Sequence, residues 1–161
     1  MLPSGDNIVF RNSAFFAQKK APASLPSPSV VRVAASRLPA DSTRPVLGPY
    51  AVPFESTNLL VKYGRTVTTS EGKCLWAIRS QMGDSCPVPE VYGWCHDGDE
   101  VFIYMELIRG DTLSSRWNDL SQQEKEGIAA QLKKIVRALR QFKLGPGEVN
   151  VGMYRCFCSH R

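Results

Sequence analysis

The stretch CPVPEVYGWCHDGDEVFIYMELIRG (86–110) limits the fold more than any other part of the chain. Its prolines, β-branched residues and aromatics indicate two strands, and HDGD (96–99) supplies the turn between them. A hairpin follows, and with it an antiparallel sheet. TNLLVKY (57–63) reads as an earlier strand with a lysine near its end.

Helical patterns fill the spaces around these strands. In TTSEGKCLWAIRSQMG (68–83), Cys74, Leu75, Ile78 and Met82 recur at helical spacing. Thr68 or Ser70 can cap this helix, Glu71 would complete a capping box with Thr68, and Gly83 is a terminator. DTLSSRW (111–117) begins with Asp111 as the N-cap of a short helix. SQQEKEGIAAQLKKIVRALRQF (121–142) is the clearest element, with a Ser121/Glu124 capping box and one apolar stripe of Ile128, Leu132, Ile135, Val136, Leu139 and Phe142. Glu124 and Glu126 lie near its start and Arg137, Arg140 and Lys143 near its end, as the helix dipole prefers. Gly145 and Pro146 stop it.

Composition divides the chain into three parts. Residues 1–45 carry 6 basic and 2 acidic side chains, 46–120 carry 6 and 10, and 121–161 carry 8 and 3. The net charge of +5 therefore belongs to the ends, and no interleaved basic and aromatic surface of a nucleic-acid binder is present. Residues 1–45 are a Ser/Pro/Ala mixture read as a disordered tail, because Pro22, Pro26 and Pro28 interrupt any amphipathic helix. Arg11, Lys19, Lys20, Arg32 and Arg37 in that tail loosely fit an organelle transit peptide, so the expected localisation is cytoplasmic with a mitochondrial alternative. No stretch approaches the roughly 20 apolar residues that cross a bilayer, and no membrane partner is expected. Five cysteines without paired spacing suggest reduced thiols.

The order strand, helix, hairpin, connector, long helix has a chemical logic. Nucleotide phosphates need a cation held at a fixed place, and a strand lysine fixed by a helix glutamate supplies one. Lys62 would pair with Glu71, which orients the ammonium and keeps it charged. Taken singly, Lys62 also reads as a strand-end lysine that snorkels to water, and Glu71 as a capping residue.

Five segments in order resemble the aminoglycoside phosphotransferase family, in its fungal branch within the protein-kinase-like superfamily. LLVKYG is similar to the family's nucleotide-lysine strand, SEGKCLWAIRS to the helix after it, and CPVPEVYGW to the segment that opens the next strand. FIYMELIRGDTLSSRW resembles the hinge and start of the interlobe connector, and LSQQEKEGIAAQLKKIVRALR the linker helix. The resemblance spans residues 57–142 and implies an α+β fold. That fold is a protein-kinase-like N-terminal lobe at 46–143, an antiparallel sheet plus helix followed by connector and long linker helix, with an irregular tail at 144–161. It also implies ATP and Mg as cofactors. Lys62 would contact the α- and β-phosphates, Glu71 would hold it, Met105 would back the adenine pocket, and main-chain groups of Glu106 and Ile108 would bond the adenine edge. For Met105 and Ile108, core packing is the rival reading.

The family's catalytic aspartate and asparagine lie in a His-Gly-Asp-x-x-x-x-Asn loop after the linker helix, and the sequence given stops before such a loop. The chain is therefore expected to be a fragment without catalytic residues of its own, with a small-molecule acceptor only in a complete protein. A non-catalytic, pseudokinase-like module that binds nucleotide or protein is the alternative. The segment RPVLGPYAVPFEST has only Gly48 where a phosphate-covering loop belongs. His96, Asp97 and Asp99 form a hairpin turn rather than a catalytic loop or metal pair, and Cys156, Cys158 and His160 lack zinc-ligand spacing, so no metal site is expected. The apolar face of the 121–142 helix has to fold back, self-associate or stay exposed.

Overall fold

The structure is a computed structural model that describes residues 2–18, 22–38 and 49–142. It is α+β, with a five-stranded antiparallel sheet of β1 (Ile8–Val9), β2 (Tyr50–Phe54), β3 (Leu59–Gly64), β4 (Val91–Asp97) and β5 (Glu100–Glu106). Their spatial order is β1-β4-β5-β3-β2. The predicted hairpin is the centre of this sheet: β4 and β5 pair with Asp97 opposite Glu100, which leaves Gly98 and Asp99 as a two-residue turn. Gly98 has φ 63°, a conformation that side chains with a Cβ resist.

Helix layers cover both faces. On one face Leu59, Val61 and Tyr63 of β3 join Phe102 and Tyr104 of β5 under Phe15 of α1 (Ala14–Ala17) and Val31 and Ala35 of α2 (Pro28–Ser36). On the other, Trp94, Val101, Ile103 and Met105 pack with Leu75 of α3 (Thr69–Met82). An irregularity between Val91 and Gly93 shifts the alternation of β4, so Tyr92 joins the first cluster while Val91 and Trp94 both join the second.

The disordered tail expected over residues 1–45 is not what residues 2–18 and 22–38 form. They build the outer layer and an edge strand, and Phe15 and Val31 are as deeply buried as any residue of the hairpin. The prolines misled because Pro28 stands in the first turn of α2, where no intrahelical N–H is lost, and Ser27 before it caps the helix through Val30 N–H. The segment is also fastened by polar contacts. Trp94 Nε1 donates to the Gly5 carbonyl (3.1 Å), His96 N–H donates to Asn7 Oδ1 (2.9 Å), and Arg32 bridges Asp97 and Glu100. Phe10 stacks with Trp76 at 6.2 Å and meets Trp94 edge-on at 5.5 Å.

Two glycines make this packing feasible. A Cβ on Gly93 would fall on the Ile8 carbonyl oxygen, so glycine lets β1 reach the sheet edge. A Cβ on Gly72 would lie 2.9 Å from the Trp94 ring, so glycine lets α3 seat on that indole.

Beyond the sheet, the cap of α4 (Leu113–Arg116) is Thr112 and not Asp111. Thr112 Oγ1 accepts Ser115 N–H at 3.1 Å, while Asp111 accepts from Arg116. α5 (Gln122–Gln141) carries the Ser121/Glu124 capping box as predicted, and none of its residues is buried. The predicted tail at 144–161 and the domain boundary near 46 fall outside the described residues. Among the described residues no helix is long and apolar enough to cross a membrane.

Candidate functional site

β3 presents Lys62 on the α3 side of the sheet, between Ala51 of β2 and Ile103 of β5. Alternation fixes this side: Val61 and Tyr63 point to the other face, so Leu60 and Lys62 must face α3. The first turn of α3 places Glu71 above the lysine, and Lys62 Nζ donates to Glu71 Oε1 at 2.5 Å. Each side chain keeps 31% of its exposure, so the pair is worth about 1 kcal/mol or less to the fold while its ammonium stays within reach of solvent. A stabilising role alone is a thin reason for a charge on a strand otherwise lined with apolar residues.

The predicted Thr68/Glu71 capping box is absent. Thr68 is the N-cap by position but makes no side-chain cap bond, and Glu71 meets Thr68 only through the main chain, N–H to carbonyl at 3.1 Å. One carboxylate cannot both fold back on its own helix start and reach across to the sheet, and here the lysine wins. Gly83 does end α3, with φ 48°.

Met105 shares the α3 side with Lys62 and is 6% exposed, paired with Leu60 on one strand and Val91 on the other. Its neighbours are core residues, so packing accounts for its burial. Glu106, next along, is already engaged. Its N–H donates to the Glu90 carbonyl (2.8 Å) and its Oε2 accepts Glu90 N–H (3.2 Å). Ile108 lies beyond the strand, 63% exposed, and its main chain makes no hydrogen bond among the described residues. Of the two predicted hinge residues, Ile108 thus has an open N–H and carbonyl, whereas the Glu106 N–H is committed.

Sequence reasoning missed the network that braces the end of β5. Arg79 from the last turn of α3 donates to the Val88 carbonyl (3.0 Å) and lies 3.9 Å from Glu90 and 3.7 Å from Glu106. Glu90 also accepts Ala14 N–H, tying the N-terminal layer to the same place. No spacing rule links positions 14, 79, 90 and 106, since the fold alone brings them together. Next to this network a cleft of about 500 Å³ is lined by Pro87, Val88, Pro89 and Ile108 with Asp84 and Glu106. A smaller cavity of about 220 Å³ lies between Phe10, Ser13, Trp76 and Glu90. Lys62 lines neither.

The titratable groups that depart most from ordinary values are structural. Burial pushes the Tyr92 hydroxyl up to about 12, aided by the charges of Glu106 and Glu90, and burial raises Tyr104 and Cys95, which face each other at 3.6 Å.

The fit of the implied cofactors differs between them. For ATP, the residues that would serve are the partly exposed Lys62 ammonium, held by Glu71, and the unbonded main chain of Ile108. For magnesium, the described residues hold no group of three or more His, Cys, Asp or Glu that could bind a metal ion. Asp97 is engaged by Arg32 and Asp99 by Arg65, as expected of a hairpin turn. Cys156, Cys158, His160 and Gly48 lie outside the described residues. Compared with known proteins, the chain matches no family model, no curated protein and no solved structure.

Proposed function

We propose that this chain carries the nucleotide-binding half of a kinase-like phosphotransferase of the aminoglycoside phosphotransferase type, with ATP as its ligand. The observation that carries this reading is the 2.5 Å pair between Lys62 on the third strand and Glu71 in the first turn of the next helix. A strand lysine fixed by a helix glutamate is the device with which protein kinases hold ATP phosphates. Lys62 binds the α- and β-phosphates, and Glu71 keeps its ammonium oriented while unliganded. Met105 and Leu60 form the apolar floor beside it, and the open main chain of Ile108 takes the adenine edge. ATP, when bound, supplies the phosphoryl group; no described residue is assigned to the transfer itself, and none is assigned to magnesium. The acceptor in a complete enzyme is a hydroxyl of a small molecule.

Calorimetric titration of the full chain tests this reading. Saturable binding of ATP and ADP is expected, with adenosine at least tenfold weaker because it lacks the phosphates. Lys62→Met should weaken ATP about tenfold, the scale of one charge-assisted hydrogen bond, without changing adenosine. Equal ATP affinity in the wild type and the variant, or no binding by a folded chain, would sink the proposal.

A further inference from the structure

α5 is a 20-residue helix with no buried residue, and Leu132 and Val136 on its apolar stripe are 48% and 42% exposed. Neither core cluster of the protein includes any of its side chains. Its apolar positions Ile128, Leu132, Ile135 and Leu139 follow spacings of four, three and four, which is the seam of a coiled coil and narrower than the face a helix turns to a globular core.

We infer that this seam is an interface between two copies of the chain, paired through antiparallel α5 helices. Two features choose a second copy and that direction. The positions flanking the seam are Ala129, Gln131, Val136 and Ala138, so no charge obstructs close approach, while Lys133, Lys134, Arg137 and Arg140 point away from it. Charge is also divided along the helix, with Glu124 and Glu126 outweighing Lys125 at the start and only basic residues from Lys133 onward. Reversing one copy sets acidic starts toward basic ends and opposes the helix dipoles, whereas a parallel pair sets like against like. In the register that aligns Leu132 with Ile135 and Ile128 with Leu139, Gln131 of each copy flanks the seam beside Ala138 of the other. This inference is independent of nucleotide binding. Fewer than two heptads make a short seam, so the pair should be weak and reversible.

Sedimentation of the full chain between about 1 and 100 µM tests it, a range in which weak pairs dissociate. A reversible monomer–dimer equilibrium is expected. Leu132→Gln/Leu139→Gln should be monomeric throughout, with the near-ultraviolet signal of the sheet aromatics unchanged. If that variant loses α5 itself, a second pair that keeps the seam still decides. Gln131→Lys/Ala138→Lys sets lysines face to face and should dimerise at least tenfold more weakly than Gln131→Glu/Ala138→Lys, which sets opposite charges together. A folded wild type that stays monomeric at 100 µM overturns the inference, as does association that none of these substitutions changes. A monomer that binds anionic vesicles through α5 also overturns it, in favour of a lipid surface as the occupant.

Discussion

Residues 2–38 and α5 present opposite faces to the same physics. The N-terminal segment looks unstructured by composition, yet its described part places Phe15 and Val31 in the core and an edge strand beside β4. α5 has the most regular pattern in the chain and a complete capping box, yet packs on neither side of the sheet. Periodicity and capping report whether a segment will coil; they do not report whether the molecule offers it anything to pack against. A short segment with two well-placed apolar side chains is ordered when a sheet face would otherwise meet water.

Substitutions on the two sides of this contrast should separate by several kcal/mol. Phe15→Ala removes a fully buried ring that packs on Tyr92 at 5.5 Å and should cost about 3–5 kcal/mol in urea unfolding. A loss below about 1 kcal/mol would return the segment to the status of a loose tail.

The next effect is alkaline and has the same origin. Tyr92 has a folded value of about 12 because it is buried, against about 10 when unfolded. The neutral hydroxyl is thus favoured in the folded state, so this contribution is fully present below pH 10 and is lost as pH rises from 10 to 12, by about 2 kcal/mol. Tyr104 shifts in the same direction and adds to the loss. Tyrosine absorbance with unfolding followed against pH checks this, and Phe15→Ala should move the onset of Tyr92 ionisation toward 10 if the N-terminal layer is what keeps water out.

At the small end, Leu132→Ala in α5 should change the stability of the dilute monomer by less than about 0.5 kcal/mol, because the residue is half exposed and belongs to no core cluster. A cost near that of Phe15→Ala would mean that α5 docks on the body.

What the residues alone revealed follows the same division between local and distant causes. The HDGD turn, the strand that carries Lys62, the Ser121 capping box and the Gly83 stop depend on neighbours a few positions away, and all are where their local chemistry puts them. The Lys62–Glu71 pair was legible because a chemical rule, not a periodicity, joins those positions. The errors came where a distant partner outcompeted a local one. Glu71 turned from Thr68 to Lys62, and Pro28 began a helix that the body was waiting to cover. The Arg79 network and the Arg32 bridge to Asp97 and Glu100 join residues far apart in sequence, and no pattern in a single chain announces them.

Native-state hydrogen exchange on the full chain tests most directly whether the N-terminal segment is part of the body and α5 is not. The amides of Val31 and Phe10, bonded to Ser27 and Tyr92, should exchange only with global unfolding, together with those of Ile103 and Tyr104 in β5, while α5 exchanges far faster at low protein concentration. Exchange of Val31 and Phe10 at the rate of α5, with β5 still protected, would contradict it.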